Sequence, residues 1–401
     1  MRGLFERLIS AFRRRSPERA EARQVAHGRG PLDHVLLLDG TMGSLRPDRL
    51  TSIGMIYRFL RRAVPKVSVY YGRGLQWREW HDVSDVWFGF GVNKQIERAY
   101  GWLAMRYRPG DRIFLIGYSR GAFAARSLAG MIERVGLLRP EHAIERNTRL
   151  AWRHYETEAP APIMAGFRRS LCHESVPVEM VGAFDTVQAL GIRLPFFWLV
   201  RAAQVRFHDH HLGQSVHHGY QALALDETRS VLEPLIWDSE GTGADRIEQR
   251  WFRGAHGDIG GQLGHFGDAR PLANIPLVWM LERAEGLGLV LPPGWAQEFA
   301  RDATAPSVGT WGGWAKLFWL RAPRVVGRDP SEGLHESVTL PERSHALFRP
   351  RILRPEIRRV PPQAPAAEGS ELGRHDEAGG GAGGVEASVL GAPDLAPRDA
   401  G

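Results

Sequence analysis

The chain has 401 residues, of which 43% are hydrophobic, and its formal net charge is +7. This length and apolar content suffice for a large folded domain with a substantial core. The single cysteine, Cys172, excludes a disulfide framework within the chain and gives no sign of an oxidising compartment. No apolar run reaches the roughly 20 residues that a membrane-spanning helix requires.

The basic charge is almost entirely arginine, because Lys66, Lys94 and Lys316 are the only lysines. An arginine bias beside abundant Ala, Gly and Pro indicates overall composition rather than a selected phosphate-binding surface. The sequence has no zinc-finger spacing and no basic helix interleaved with stacking aromatic residues. We therefore expect no nucleic-acid partner.

Residues 1–30 form a basic leader whose first apolar residues fall on one helical face. Such a segment suits an anionic lipid surface, and a solvated extension is the alternative. Its apolar part is too short and too charged for a secretory signal peptide. We expect a cytoplasmic protein, with peripheral membrane contact or export by a route without a signal peptide as alternatives.

Short apolar runs that stop at turn residues predict buried strands in the body of the chain. They cover residues 33–38, 67–72, 111–117, 178–184 and 250–255. Apolar residues at helical spacing predict helices at 53–63, 93–107, 122–132 and 272–285. Asn93 is a predicted N-cap, and Gly286 and Gly288 close the last helix. Strands that alternate with helices predict an α/β protein with a mostly parallel sheet covered on both faces.

The composition changes near the end of the chain. From about residue 361 it is rich in Pro, Ala and Gly and has too few apolar residues to build a core. We therefore divide the chain into a leader over 1–30, a folded domain over 31–360 and a disordered tail over 361–401.

The predicted strand at 111–117 runs directly into Gly117-Tyr118-Ser119-Arg120-Gly121. A Gly-x-Ser-x-Gly sequence between a strand and a helix is typical of a nucleophile elbow, a sharp turn that presents the serine. The glycines fit this context because crowded backbone leaves little room for a Cβ atom. The pentapeptide alone is common and a plain turn is the alternative, but the flanking elements favour a nucleophilic Ser119.

A serine nucleophile needs a base, and the base needs an acid that orients it. Asp185 and His256 each follow a predicted strand, and active sites of open α/β sheets lie at the carboxyl ends of the strands. The chain order Ser119, Asp185, His256 is that of α/β-hydrolases. Taken singly, Asp185 could be a turn cap and His256 a loop histidine.

A second assignment of acid and base remains open, with Asp258 as the acid and His335 as the base. We favour Asp185 with His256, because Asp258 stands only two residues from His256 and fits a loop-forming role. In the oxyanion hole, one hydrogen-bond donor would be the backbone N–H of Arg120, the residue after the nucleophile.

A second oxyanion donor is expected from the loop after the first strand, where Gly40 and Thr41 are available. Asp39 would position this loop or serve only as a turn former.

Five segments, in this order, resemble the motifs of a known α/β-hydrolase family. They are residues 38–43, 117–122, 184–188, 220–227 and 251–261. The family is known mainly through type VI secretion phospholipase effectors of the Gly-Phe-Ser-Arg-Gly class and their bacterial and fungal relatives. The resemblance covers about residues 33 to 355. It implies an α/β-hydrolase fold with inserted cap or lid segments.

The family's catalytic Ser, Asp and His correspond to Ser119, Asp185 and His256. The resemblance implies carboxylic ester hydrolysis by these residues and a secretion-system partner of unknown identity. The chain departs from the family's motifs at Met42, Gly43, Gln188 and Gln262, near the expected rim of the pocket.

Substrate class is indicated by two apolar-aromatic segments, 194–200 and 311–320. They could form a lid or a membrane-facing patch, or they could be buried core. Together with the basic leader they favour a lipid or phospholipid ester over a small soluble ester.

Two functions of other classes remain as alternatives. A metal-dependent hydrolase could use histidines 208, 210, 211, 217 and 218, or the His256-x-Asp258 pair. The chain has no helical His-Glu-x-x-His motif, so we expect neither a metal nor another cofactor. The second alternative is a catalytically inactive interaction module on the same fold.

Overall fold

The computed structural model describes residues 29–64, 66–74, 90–187, 211–241, 244–310, 320–338 and 350–353. All of them belong to one unit. The predicted leader as far as residue 28, the segment 194–200, residues 311–319 and the predicted tail lie outside the described residues. No helix within the described ranges has the length and apolar content to cross a membrane.

Nine strands are present in the described part of the chain, and seven of them form the central sheet. Their bounds are β1 Asp33–Leu38, β2 Val67–Gly72, β3 Arg112–Tyr118, β4 Val178–Phe184, β5 Val216–Ala224, β6 Ile247–Phe252, β7 Val325–Val326, β8 Glu332–Leu334 and β9 Arg351–Ile352. The sheet has the order β2-β1-β3-β4-β5-β6-β8, and every neighbouring pair is parallel. Strands β7 and β9 form a separate parallel pair.

The described helices connect these strands. They are α1 Ser52–Ala63, α2 Phe90–Ala104, α3 Arg120–Val135, α4 Glu145–Glu156, α5 Ala161–Leu171, α6 His256–Gly260 and α7 Arg270–Gly286. Short 3₁₀ helices cover Pro47–Arg49, Pro140–His142, Ser230–Leu232, Ala244–Arg246, Gly267–Ala269 and Trp295–Glu298.

The apolar runs of the inner strands are buried on both faces of the sheet. In β1, Leu36 and Leu38 pack in one hydrophobic cluster with residues of α2 and α3. Val35 and Leu37 point the other way, into a cluster with residues of α1 and α7. This alternation follows from the two-residue period of a strand. A parallel sheet between two helical layers confirms the predicted α/β class with a mostly parallel sheet covered on both faces.

Some predicted elements differ from the observed ones. Helix α2 already includes Phe90, so Asn93 lies inside it and is not its N-cap, and it ends at Ala104. Strand β6 lies three residues earlier than predicted, because Gly254 has a φ of 115° and turns the chain toward α6.

Strand β5 and helices α4 and α5 were not predicted. The apolar run of β5 is interrupted by His217, His218 and the buried Gln221. The Gln221 amide is satisfied by Thr186 and by Gln249, which only the folded sheet brings beside it.

Candidate active site

Ser119 lies at the turn between β3 and α3, with φ 56° and ψ −120°. A positive φ is strained for a residue that carries a Cβ atom. The flanking glycines are required by close backbone contacts: a Cβ on Gly117 would overlap the Gly121 carbonyl, and one on Gly121 would overlap the Leu38 carbonyl. The sharp turn therefore depends on this local sequence, and it places the serine at the carboxyl end of a central strand.

Asp185 follows β4, the neighbour of β3, and also has a positive φ of 41°. Its N–H donates to the Ala222 carbonyl at 2.7 Å. The side chain is fully buried, and Oδ1 accepts a hydrogen bond from the Ala224 N–H at 3.1 Å. The carboxylate is thus held by the backbone of the adjacent strand, β5.

His256 is the first residue of α6 and joins the other two side chains. Its Nδ1 lies 2.6 Å from Asp185 Oδ2, and its Nε2 lies 2.9 Å from Ser119 Oγ. With Nδ1 protonated toward the carboxylate, Nε2 is the acceptor for the serine hydroxyl. The structure therefore brings Ser119, Asp185 and His256 together in one line of hydrogen bonds.

Asp258 and His335, the second predicted acid and base, are placed differently. Asp258 accepts from the Ala255 and Val308 N–H groups at 2.8 and 2.9 Å and from the Ser307 hydroxyl. The His335 ring stacks on Phe252, with 4.4 Å between ring centroids, and burial lowers its pKa to about 4. Within the described part of the chain, neither side chain forms a hydrogen bond with Ser119 or with the His256 ring.

The loop after β1 contains Gly40 and Thr41, the two residues expected to supply a second oxyanion donor. The Gly40 N–H already donates to Asp39 Oδ1 at 2.8 Å, which favours Thr41 over Gly40. No acceptor for the Thr41 N–H lies among the described residues. The other expected donor, the Arg120 N–H, belongs to the first turn of α3.

Asp39 fixes this loop from inside the protein. Its carboxylate accepts from the Thr51 hydroxyl at 2.9 Å and from the Tyr71 hydroxyl at 2.6 Å. Burial raises the pKa of Asp39 to about 6, although these hydrogen bonds oppose the rise. Asp39 therefore acts as a loop anchor with several partners.

Gln262, one of the departures from the family's motifs, ties the same loop to the serine-bearing strand. Its Nε2 donates to the Thr41 carbonyl at 2.9 Å, and its Oε1 accepts from the Tyr118 hydroxyl at 3.2 Å. A glycine at this position could form neither bond. Gln262 thus links Thr41 to Tyr118, the residue before Ser119.

Glu227 holds the backbone of His256. Its Oε2 accepts from the His256 N–H at 3.1 Å and from Arg229 Nη2 at 2.6 Å. Burial opposes ionisation of Glu227, but the hydrogen bonds and charge of Arg229 outweigh it and lower its pKa to about 2. The ionised carboxylate is therefore part of the folded site at neutral pH.

Replacing Glu227 by Gln should destabilise the protein at neutral pH by about 3 kcal/mol, the equivalent of this pKa shift. A lowered pKa in the folded state contributes stability that is present above the unfolded pKa of about 4.5 and is lost as the pH falls toward 2. The difference between the two proteins should therefore shrink in acid. Urea unfolding at a series of pH values measures it.

The matched control is Glu233→Gln, because that side chain is 61% exposed and pairs with Arg328. An exposed pair should contribute less than about 1 kcal/mol. Equal, pH-independent losses in both variants would contradict the role of Glu227.

The histidines considered as metal ligands have other contacts. His211 lies 3.8 Å from Asp238, and His217 lies 3.3 Å from Glu179. The His218 ring stacks on Tyr220. Residues 208–210 fall outside the described residues. Among the described residues, no group of three or more His, Cys, Asp or Glu side chains is arranged to hold a metal ion.

Sequence reasoning assigns no role to Glu227 or Arg324, although both contact this site. The sequence does contain a clue to Glu227, because this residue ends segment 220–227, which resembles a motif of the family. It contains no clue to Arg324, because this residue lies in no recognised motif and is 139 residues from Asp185 in the chain.

Comparison with known proteins places the chain in a family. Residues 33–283 match the family described as T6SS, phospholipase effector Tle1-like, catalytic domain. Uncharacterized protein YEL023C of Saccharomyces cerevisiae is 29% identical over 240 residues, which are 53% of this chain and 33% of the yeast protein.

Two solved structures show more distant similarity. An uncharacterized protein from Pseudomonas aeruginosa is 16% identical with a TM-score of 0.38, over 71% of this chain and 50% of that one. The Tle1 effector, solved bound to the VgrG spike of the type VI secretion system, is 17% identical with a TM-score of 0.32, over 58% of this chain and 51% of its own. The matched part thus spans a third of the yeast protein and about half of each solved chain. Because the family match covers more than half of the sequence, the chain belongs to the Tle1-like catalytic-domain family of type VI secretion phospholipase effectors.

Proposed function

We propose that this chain is a serine hydrolase that cleaves a carboxylic ester of a phospholipid through an acyl-enzyme on Ser119. The observation that carries the proposal is the continuous hydrogen-bonded line, 2.6 Å from Asp185 to His256 and 2.9 Å from His256 to Ser119. An acid, a base and a nucleophile in this geometry can move a proton without rearrangement.

In the proposed reaction, Ser119 Oγ attacks the ester carbonyl while His256 Nε2 takes the hydroxyl proton. The tetrahedral intermediate collapses, the bond to the leaving alcohol breaks, and His256 returns the proton to that alcohol. Water then attacks the acyl-enzyme, with His256 again accepting and returning a proton. Asp185 keeps Nδ1 protonated and stabilises the imidazolium in both halves of the reaction.

The negative charge on the carbonyl oxygen would be stabilised by two N–H groups, from Arg120 and Thr41. The anchoring of the Thr41 loop by Asp39 and Gln262 supports this assignment, since an oxyanion hole acts by being fixed in advance. Loss of one such donor typically costs about 10²–10³ in rate.

The phospholipid substrate is supported by the family to which the chain belongs. The same membership supports export through a type VI secretion system, with a component of that machine as partner. Peripheral contact with a membrane, through the basic leader or the aromatic segments, would give the site access to lipid.

We expect the purified chain to release fatty acid from phospholipid vesicles and to hydrolyse p-nitrophenyl esters, with a preference for longer acyl chains. A fluorophosphonate probe should label the wild-type protein, because the probe reacts with an activated serine. A strong chelator should leave the rate unchanged, since no step of the proposed reaction uses a metal.

Each arm of this experiment has an opposing outcome. Absence of both labelling and ester hydrolysis would identify an inactive module and contradict the proposal. Loss of activity with the chelator, restored by metal, would favour a metal-dependent hydrolase. Hydrolysis of short soluble esters without release from vesicles would retain the serine mechanism and reject the phospholipid substrate.

A further inference from the structure

A buried arginine contacts the carboxylate that faces His256. Arg324 Nη2 lies 3.2 Å from Asp185 Oδ2, the same oxygen that lies 2.6 Å from His256 Nδ1. The Arg324 side chain is 5% exposed, and that of Asp185 is fully buried. With the Ala224 N–H on Oδ1, the carboxylate receives donors from three directions.

Arg324 is presented by ordered backbone outside the main sheet. It directly precedes β7, and its carbonyl accepts from the Arg351 N–H at 2.8 Å. Val326, in β7, is fully buried in a cluster with Trp251 and Leu334. The backbone that carries the Arg324 side chain is therefore held by packing and by the β7–β9 pair.

We propose that Arg324 is a positioning residue that fixes the orientation and the negative charge of Asp185, and through it the ring of His256. The inference rests on the proposed function, in which His256 acts as the base. A buried carboxylate without a cation nearby is costly. Within the described part of the chain, Arg324 is the only arginine or lysine within ion-pair distance of Asp185.

The contact between Arg324 and Asp185 should also affect how readily the Asp185–His256 pair binds a proton. Adding a proton to the Asp185–His256 pair creates an imidazolium close to the guanidinium, which disfavours that proton. Removal of the Arg324 charge should therefore let the pair bind a proton at higher pH.

Other charged or titratable groups also face this pair, and they stay constant when Arg324 is changed. They are Tyr118 from β3, Ser119 at the start of α3, and Glu227 with its partner Arg229 after β5. Differences between Arg324 variants therefore report on the arginine.

The test compares Arg324→Met, which removes the charge, with Arg324→Lys, which keeps it. Arg328→Met is the control, because Arg328 is 39% exposed and pairs with Glu233. Two readouts are taken from pH 5 to 9: kcat and KM on a soluble p-nitrophenyl ester, and titration of the low-field proton resonance of His256 Nδ1–H. The resonance is assigned to His256 by its absence from the spectrum of His256→Gln, and its measurement needs no substrate.

We expect Arg324→Met to lower kcat by about 10- to 100-fold, as small misplacements of reacting groups do, with KM unchanged. The acidic limb of kcat/KM and the midpoint of the resonance should both move up by about one pH unit. Arg324→Lys should keep the wild-type midpoint and recover part of kcat, and Arg328→Met should match wild type.

A wild-type midpoint and kcat in Arg324→Met would overturn the inference. Equal losses of kcat in the Met and Lys variants, with unmoved midpoints, would also overturn it by showing a merely structural role. Should Arg324→Met fail to fold, Arg324→Gln replaces it as the neutral variant. A wild-type protein without esterase activity would refute the proposed function, while the resonance would still test Arg324.

Discussion

Ser119→Ala should abolish ester hydrolysis, with kcat falling by about 10⁶-fold and the fold unchanged. The reason is that the proposed reaction forms its covalent intermediate on Ser119 Oγ, and the neighbouring groups cannot act without that atom. The φ of 56° at this position strains alanine and serine alike, because both residues carry a Cβ atom, so alanine should fit no worse than serine. Initial rates on a p-nitrophenyl ester, together with thermal unfolding, measure both expectations.

Ser127→Ala is the matched control for this substitution. Ser127 is buried in the same helix, α3, and its hydroxyl donates to the Phe123 carbonyl at 2.8 Å. Its loss should cost about 1 kcal/mol of stability without affecting the proposed reaction. Fluorophosphonate labelling should persist in Ser127→Ala and disappear in Ser119→Ala. Near-wild-type turnover by Ser119→Ala would remove the serine mechanism altogether.

Much of the fold could be predicted because its signals are local. The strands β1, β3 and β4 are mostly apolar, as expected for strands buried on both faces. Ser119, Asp185 and His256 could be singled out because each follows a predicted strand, and the carboxyl ends of parallel strands share one edge.

The remaining features depend on contacts between distant parts of the chain. Gln262 meets Thr41 across 221 residues, and neither residue has a local pattern that predicts the bond. Strand β5 was missed for a related reason, because the polar side chain of Gln221 is buried among partners that only the folded sheet supplies.

Backbone conformation near the candidate site also departs from what residue type predicts, because several non-glycine residues there have a positive φ. The non-glycine residues with positive φ in the described ranges are Met42, Ser119, Asp185 and Glu158, and only Glu158 lies away from the candidate site. Strained positions of this kind are maintained when the surrounding structure determines them, and they gather at functional sites. Propensities read from the sequence cannot anticipate them, because the strain is offset by tertiary contacts.

Asp185→Asn should lower kcat by about 10⁴-fold, as the loss of the orienting carboxylate does in other hydrolases of this type. Asparagine keeps the shape of the side chain, but its amide can donate to His256 Nδ1. The imidazole would then carry its proton on Nε2 and could no longer accept the Ser119 hydroxyl proton. The Ala224 N–H can still donate to the amide oxygen, but the buried Arg324 loses its carboxylate partner, so the variant should lose about 3–5 kcal/mol of stability. Thermal unfolding shows whether the variant is folded at the temperature of the assay.

The decisive comparison assays Asp185→Asn beside Asp258→Asn and His335→Ala. Asp258 receives hydrogen bonds from Ala255, Ser307 and Val308, so its variant should lose stability and less than about tenfold in kcat. His335 packs on Phe252, and its variant should lose stability through lost packing. An active Asp185→Asn beside an inactive Asp258→Asn or His335→Ala would transfer the acid and base roles to the second pair, despite the 2.6 Å contact between Asp185 and His256.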